Sequence, residues 1–354
     1  MKIWFAGNTG VEKREATVCS MGCSRLFSYH FVASDFFNSR AMMNVAVKHK
    51  VDLFLDSGAF SAWTQGVEVK IDDYIQFIKD HEDVIDVYAN LDVIGIGGKQ
   101  PNKLTAEMTL KNQKIMEAAG LKPMAVFHFG EPFKYLEYYL KRNDYIALGV
   151  AGNSGKKIQP WLDECFSKYI CDENGYPKRK IHGFAVTSLS NMIRYPWFSV
   201  DSTSWVVTGR TGFIYVPRFR NGKWLYDENS WKIAVSNQSP SMREIGKHIT
   251  TMSPKNQEIA LHYITDKGYK IGKSSFKTED QTYKLADNER WAQKKPKDKS
   301  AKRRVEIIEE DGISNRYQLR DEMNIIYFLD LEKTIPPWPW PFKIDKKIKP
   351  NFSL

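Results

Sequence analysis

The sequence has few cysteines and no apolar run long enough to cross a lipid bilayer. The four cysteines (Cys19, Cys23, Cys165 and Cys171) form no Cys-x-x-Cys pair, which argues against a zinc knuckle and predicts reduced thiols in a cytoplasmic protein. Cys19 and Cys23 have no nearby histidine to complete a metal site, so we expect none there. A membrane helix needs roughly 20 apolar residues, and the first residues lack the apolar core of a signal peptide. We therefore expect no membrane partner.

Acidic residues are in the minority, and the excess of basic residues is unevenly distributed. The 354 residues carry 52 Lys and Arg against 42 Asp and Glu, a net charge of +10. Residues 1–216 hold 25 basic and 23 acidic side chains, whereas residues 217–354 hold 27 and 19, a net charge of +8. This second part predicts a polyanionic partner. Within it, residues 293–304 carry seven basic side chains and one acidic one, which predicts an exposed, weakly ordered segment.

Apolar runs with strand character alternate with stretches of helical periodicity. The eight runs are residues 2–6, 52–55, 84–91, 124–129, 145–150, 181–186, 198–200 and 212–216, and the clearest helical stretches are 71–81, 104–119 and 133–141. Eight such repeats predict an α/β fold, a (β/α)8 TIM-like barrel over residues 1–216. Residues 217–354 then form a basic α+β extension. It begins with a hairpin that turns at Asn221-Gly222 and ends with an extended Pro/Trp-rich segment, residues 336–341.

Three of the strand-like runs lead into an aspartate. Asp56 follows residues 53–55, Asp92 follows residues 87–91, and Asp201 follows residues 197–200. Active sites of parallel barrels lie at the carboxyl ends of the strands, so we expect the three carboxylates to converge on one rim. His128 and Gly149 end two further runs and are expected at the same rim.

These motifs resemble the tRNA-guanine transglycosylase superfamily over about residues 50–216. The family's site opens with an Asp-Ser-Gly-Gly-Phe-type motif, to which Asp-Ser-Gly-Ala-Phe at residues 56–60 is similar. The Ala-Asn-Leu-Asp sequence ending at Asp92 matches the aspartate that reads the base. The run Ala-Leu-Gly-Val-Ala-Gly at residues 147–152 is similar to the glycine-rich strand end whose backbone contacts the base, and Asp201 matches the nucleophile.

Three departures from the tRNA enzymes point to one branch of the superfamily. Residues 217–354 contain no cysteine, so the Cys/His zinc site of the tRNA enzymes cannot exist. His128 stands where they commonly have glutamine, and Val-Asp-Ser-Thr-Ser-Trp at residues 200–205 is similar to the phage and bacterial enzymes that insert 7-deazaguanines into DNA. The resemblance implies a cofactor-independent pentosyltransferase that replaces guanine in DNA with a base such as 7-cyano-7-deazaguanine. The enzyme would act in the cytoplasm, and if a phage encodes it, in the cytoplasm of the host.

The resemblance also implies roles for individual residues. Asp201 would attack the anomeric carbon of the sugar and form a covalent intermediate, and Asp56 would be the general acid/base. Asp92 would accept hydrogen bonds from the donor face of guanine, while Phe60 stacks on the base. The remaining base-binding residues would be Ser57, Gly58, His128, Gly149 and Val150. Two plainer readings stay open: Asp201 as a helix cap bonded to residues 202–204, and His128 as a histidine satisfied by its neighbours.

Phosphate contacts are expected in the basic second part. The candidates are Arg218, Arg220, Lys223, Lys294, Lys295, Arg303 and Arg304. Trp224, Tyr226 and Trp231 either stack on displaced bases or cover the flank of the barrel.

Two other functions compete with DNA transglycosylation. The first is a transglycosylase that acts on tRNA, and the second is a nucleic-acid-binding barrel without catalysis. A barrel acting on a small metabolite would leave the charge of residues 217–354 without a purpose. The sequence leaves open which 7-deazaguanine is inserted, the sequence context of the modified guanine, the oligomeric state and any need for a partner protein.

Overall fold

The protein is described from a computed structural model, which covers residues 1–7, 9–33, 39–95, 101–150, 158–186, 188–298 and 300–343. The chain divides into two compact units. Unit 1 consists of Met1–Thr203 with Glu332–Leu354, and unit 2 of Ser204–Leu331. The boundary predicted after residue 216 falls within unit 2, at the end of the strand Phe213–Val216.

Unit 1 contains one sheet of eight parallel strands. They are β1 (Lys2–Ala6), β2 (Arg25–Ser28), β3 (Leu53–Asp56), β4 (Val87–Tyr88), β5 (Ala125–His128), β6 (Tyr145–Gly149), β7 (Lys180–Phe184) and β8 (Ser199–Ser202). Their order in the sheet is β4-β3-β2-β1-β8-β7-β6-β5. Ala89, directly after β4, forms a parallel bridge with Met124, directly before β5. The sheet is therefore curled, which is consistent with a TIM-like α/β fold, and the predicted α/β class is confirmed.

The helices of unit 1 follow the strands in alternation. They are α1 (Glu12–Ser20), α2 (Tyr29–Val32), α3 (Ser39–Lys48), α4 (Ala59–Gln65), α5 (Ile71–Asp80), α6 (Lys103–Ala118), α7 (Lys134–Arg142), α8 (Gln159–Glu164), which continues as the π-helical turn Cys165–Ile170, and α9 (Leu189–Arg194). The three helices expected from periodicity are confirmed as α5, α6 and α7. Helix α6 begins with a capping box in which Asn102 and Thr105 satisfy each other's backbone N–H groups.

One strand predicted for the barrel belongs to another sheet, and one strand of the eight-stranded sheet was missed. Residues 212–216 are not part of the eight-stranded sheet, because β9 (Phe213–Val216) pairs antiparallel with β12 (Trp231–Ala234) in unit 2. The missing strand is β2, which pairs with β1 and β3. It begins with Arg25, whose buried guanidinium bonds to Glu15 and to the carbonyls of Phe5 and Gly7. A charged residue that is buried by pairing breaks the apolar pattern from which strands were predicted.

Alternate residues of the strands fill the inside of the curled sheet. Its apolar interior is formed by Trp4, Ala6, Leu26, Phe54, Ala89, Met124, Val126 and Ala147. Because side chains of a strand alternate between faces, the residue two positions after each of these faces the same way. Asp56 follows Phe54, His128 follows Val126 and Gly149 follows Ala147 by this step. The apolar interior thus gives way to polar residues at the carboxyl end of the sheet.

The Pro/Trp-rich segment packs on the rest of unit 1. Trp338 meets Phe198 edge to face with ring centres 5.2 Å apart. Phe342 lies 5.4 Å from the ring of Tyr195, and its N–H donates to the carbonyl of Gly175 at 2.8 Å. The segment has no helix up to residue 343.

Unit 2 is built from short antiparallel strands and helices. Besides β9 and β12 its strands are β10 (Arg218–Arg220), β11 (Lys223–Leu225), β13 (Lys273–Glu279), β14 (Glu289–Trp291) and β15 (Arg303–Glu310). Its helices are α10 (Ser204–Arg210), α11 (Pro254–Asp266) and α12 (Tyr317–Thr334), of which the last three residues count with unit 1. The β10–β11 hairpin turns at Asn221 and Gly222, both with positive φ, which confirms that prediction.

The last two residues of the basic segment lie in a strand. Arg303 and Arg304 begin β15, which pairs with β13 and β14, so the expectation of a weakly ordered segment was wrong for these two residues. Lys299 lies outside the described residues.

All four cysteines are free and buried. Across the described residues, no helix is long and apolar enough to cross a membrane.

Candidate active site

The structure brings Asp56, Asp92 and Asp201 together at the carboxyl end of the sheet of unit 1. Asp56 is the last residue of β3, Asp92 follows the bridge at Ala89, and Asp201 lies within β8. Burial, followed by the negative charges of Asp92 and Asp201, raises the pKa of Asp56 to about 7. A hydrogen bond from the N–H of Gly58 to Oδ2 of Asp56 at 3.1 Å acts in the opposite direction. Asp56 can therefore gain and lose a proton near neutral pH.

Ser57 and Gly58 shape this end of β3. Ser57 is fully buried and its Oγ donates to Oδ1 of Asp92 at 2.7 Å. Gly58 has a φ of 76°, and a Cβ at this position would lie 2.6 Å from Cβ of His30. Position 58 therefore requires glycine for its left-handed backbone conformation and for its close approach to α2. Both requirements come from the fold and do not involve a ligand.

A buried chain of hydrogen bonds holds the second carboxylate. Nε2 of His128 lies 2.9 Å from Oδ2 of Asp92, and Nδ1 lies 3.4 Å from Oε1 of Glu131. The N–H of His128 also donates to Oε2 of Glu131 at 2.9 Å. Burial alone would lower the pKa of His128, but its bonds to the two carboxylates outweigh burial and raise the pKa to about 10. His128 is therefore a cation between two acids, which agrees with the plainer reading that its neighbours satisfy it.

Glu131 was not among the predicted site residues. Its position three residues after His128, in the turn that leaves β5, was the available signal. Gly149 leaves room for the same histidine, because a Cβ at this position would lie 2.4 Å from Cδ2 of His128. Val150 is buried beside it. Ala151 and Gly152, the rest of the glycine-rich motif, lie outside the described residues.

The carboxylate of Asp201 is held on one oxygen. The N–H of Ala185 donates to Oδ1 at 2.7 Å, and Nε2 of His182 lies 3.4 Å from the same oxygen. Ala185 has a φ of 53°, a left-handed conformation that costs a residue with a Cβ about 1–3 kcal/mol. This strained peptide directs its N–H to Asp201 across the end of the sheet.

His182 was missed by the sequence reasoning. It is fully buried in β7, and burial lowers its pKa despite the nearby charge of Asp201. Its Nδ1 lies 2.7 Å from Oγ of Ser199, which is 2.5 Å from the hydroxyl of Tyr145. The available signal was the period of two that places His182 on the same face of the strand as Phe184.

Phe60 lies just after this cluster, in the first turn of α4. Its side chain is 47% exposed, and its ring centre is 5.9 Å from that of Trp63. An exposed ring on the helix that follows Asp56 is available for stacking on a flat ligand.

The predicted phosphate-binding residues all lie in unit 2. The guanidinium of Arg218 lies 4.5 Å from the ring centre of Trp231, that of Arg303 lies 4.4 Å from Trp291, and that of Arg304 lies 3.8 Å from Phe276. Arg220 pairs with Glu228, and Lys223, Lys294 and Lys295 are exposed. Trp224 and Trp231 pack against the hydrophobic core of unit 2, and Tyr226 is buried. These three aromatic residues therefore contribute to the packing of unit 2 itself.

The cluster in unit 1 offers three kinds of chemistry within one site. It has a carboxyl group that titrates near neutral pH, a carboxylate with one anchored oxygen, and a carboxylate fixed by a buried cation. In the parts of the chain that the structure describes, no group of three or more His, Cys, Asp or Glu side chains is arranged to hold a metal ion.

No protein-family model matches the chain, and no curated protein matches it.

Proposed function

We propose that the protein is a pentosyltransferase that exchanges guanine in DNA for a 7-deazaguanine derivative, such as 7-cyano-7-deazaguanine. The observation that carries the proposal is the gathering of Asp56, Asp92 and Asp201 from three separate strand ends into one electrostatically coupled cluster. Base exchange needs a nucleophile, a proton carrier and an acceptor for the donor face of the purine. The three carboxylates provide one group for each of these tasks.

Asp201 is the nucleophile in this proposal. A carboxylate oxygen attacks C1′ of the deoxyribose while the bond from C1′ to N9 of guanine breaks, and that electron pair leaves with the base. Asp56, protonated in part of the molecules near neutral pH, gives its proton to the departing guanine. The incoming base then returns a proton to Asp56 and attacks C1′ through N9, and the electron pair of the ester bond returns to Asp201. The two displacements balance without a cofactor.

Asp92 reads the base. Its two oxygens accept from Ser57 and from His128, and each oxygen keeps a further lone pair for the ring N–H and the exocyclic amine of guanine. Both supporting donors are buried, so the carboxylate is oriented before any base arrives. Phe60 stacks on the base.

DNA is the proposed polymer because of the resemblance of residues 200–205 to the DNA-modifying branch. In this proposal the eight-stranded sheet of unit 1 forms a closed (β/α)8 barrel, and basic residues of unit 2, which contains no cysteine for a Cys/His zinc site, bind phosphates. A guanine in a duplex must be turned out of the stack at a cost of a few kcal/mol, and contacts of the basic residues with the backbone offset that cost.

The test is incorporation of labelled guanine and of labelled 7-cyano-7-deazaguanine into duplex DNA and into tRNA. We expect label in DNA, and we expect Asp201→Asn to lower the rate at least about 10³-fold, as removal of a nucleophile does. Asp72→Asn, an exposed aspartate in the first turn of α5, is the matched control and should retain activity. Mass spectrometry of a trapped complex should map the sugar to Asp201.

Two outcomes would replace this proposal. Label in tRNA alone would identify the polymer as RNA. Binding of nucleic acid without incorporation into either polymer, and with no covalent complex, would identify a binding protein.

A further inference from the structure

His182 is a buried histidine whose Nε2 points towards Asp201. Its ring is enclosed by aromatic side chains, with ring centres 5.1 Å from Phe54 and 4.6 Å from Phe184. Nε2 is buried and has no well-formed hydrogen bond within the described parts of the chain. Its nearest charged neighbour is Oδ1 of Asp201 at 3.4 Å. A buried N–H group without a hydrogen-bond partner costs about 1–3 kcal/mol. The orientation of Nε2 of His182 towards Asp201 therefore needs an explanation.

The hydrogen bonds on the other side of the ring determine which nitrogen carries the proton. If Asp201 is a carboxylate, as the proposed nucleophile must be, then Nε2 has to be the protonated nitrogen, because a lone pair there would face a negative charge. Nδ1 then accepts from the hydroxyl of Ser199, and Ser199 in turn accepts from Tyr145. The chain of donors therefore runs from Tyr145 through Ser199 and His182 to Asp201.

We infer that His182 is a positioning residue that, together with the N–H of Ala185, holds Oδ1 of Asp201 and leaves Oδ2 to bond to the sugar. The inference rests on the proposed function. Both contacts of the carboxylate within the described part of unit 1 fall on Oδ1, which makes the two oxygens unequal before substrate binds. Only Oδ2 is then available for attack on C1′.

The same two donors assist the second displacement. When Oδ2 is esterified to C1′, Oδ1 becomes the carbonyl oxygen of the ester. As the incoming base attacks C1′, the electron pair of the C1′–Oδ2 bond returns to the carboxylate, and negative charge develops on Oδ1. Donors aimed at an oxygen that gains charge lower the barrier. The long contact of 3.4 Å is expected to shorten in the complex, as catalytic hydrogen bonds commonly do.

The kinetic test compares wild type with His182→Phe, which keeps a flat ring among Phe54 and Phe184. We expect kcat to fall about 10²-fold, as for loss of one such donor, and KM for DNA to fall in parallel, because kcat/KM for DNA reflects only the steps that form the covalent complex. We also expect the share of enzyme trapped as the covalent complex to rise, because its breakdown is the slowed step. Unchanged kcat, or a loss without accumulation of the complex, would overturn the inference.

A measurement that needs no activity separates this inference from the proposed function. The long-range ¹H–¹⁵N spectrum of His182 in the wild-type protein should show a neutral ring protonated on Nε2. Ser199→Ala removes the donor to Nδ1 and should shift the ¹⁵N signal of Nδ1, whereas Tyr263→Phe, at a buried tyrosine of unit 2, should not. A ring protonated on Nδ1, or on both nitrogens, contradicts the inference even in an active enzyme. If the ring is as expected but no polymer is modified, the proposed function fails instead.

Discussion

Replacing Asp56 by asparagine should change how the stability of the protein depends on pH. An aspartate in an unfolded chain has a pKa of about 3.9, whereas burial and the charges of Asp92 and Asp201 raise the pKa of Asp56 in the folded protein to about 7. Between these two values the folded state holds a proton that the unfolded state has lost. Asp56 therefore stabilises the fold fully below about pH 4, and this contribution is lost as the pH rises through 7.

The size of the effect follows from the difference between the two pKa values. A difference of about 3 units corresponds to about 4 kcal/mol, of which about 2–3 kcal/mol falls between pH 5 and pH 8.5. Asp56 keeps some contact with solvent, so we expect a measured change of about 1–3 kcal/mol. An asparagine side chain at this position would have the shape of the protonated acid and no charge to gain. Asp56→Asn should thus match wild type only below about pH 4, and its advantage in stability over wild type should grow between pH 5 and pH 8.5.

Urea unfolding of both proteins at pH 5, 7 and 8.5 measures this difference. Asp72→Asn, at an exposed position of α5, controls for the loss of a negative charge alone. The difference between its free energy of unfolding and that of wild type should not vary by more than a few tenths of a kcal/mol across this range. A gap between Asp56→Asn and wild type that stays constant with pH would refute the electrostatic coupling of the cluster, and with it the assignment of Asp56 as proton carrier.

Three further substitutions test other parts of the structure. Gly149→Ala places a methyl group 2.4 Å from Cδ2 of His128 and should cost about 1–3 kcal/mol in thermal unfolding, with a much smaller cost in a His128→Ala background; equal costs in both backgrounds would contradict the steric explanation. Ser57→Ala removes the buried donor to Asp92 and should destabilise the protein by about 1–3 kcal/mol, which a neutral result in urea unfolding would refute. Arg304→Ala should weaken DNA binding and reduce the slope of log K against log salt by about 1. Lys48→Ala on α3 of unit 1 is its control, and an unchanged slope for Arg304→Ala would exclude a phosphate contact.

The carboxylates could be predicted from the sequence because each follows a short apolar run. Strand ends are visible wherever a buried strand meets a polar residue, and parallel topology then gathers those ends. Strand β2 could not be found this way, since Arg25 is charged and becomes a core residue only through Glu15, ten positions earlier. The prediction counted β9, an apolar strand of unit 2, instead of β2. The predicted number of eight strands in the sheet was therefore right, although one of the eight was misidentified.

The supporting residues were harder to predict than the acids they support. His182 and Glu131 act through partners that are distant in sequence or lie across a turn, and no local pattern marks such pairs. The reasons for the glycines were also hidden. Gly58 and Gly149 looked like places where a ligand approaches the backbone, whereas each makes room for a histidine of the fold itself.

The path of the chain has a practical consequence for dissecting the molecule. Unit 1 is left at Thr203 and re-entered at Glu332, so unit 2 is an insertion and not an appended tail. Cutting the gene after residue 203 would remove Trp338 and Phe342 and uncover the aromatic surface that they shield. An isolated catalytic unit is better obtained by joining residue 203 to residue 332 through a short flexible linker, which keeps the returning segment and removes only what lies between.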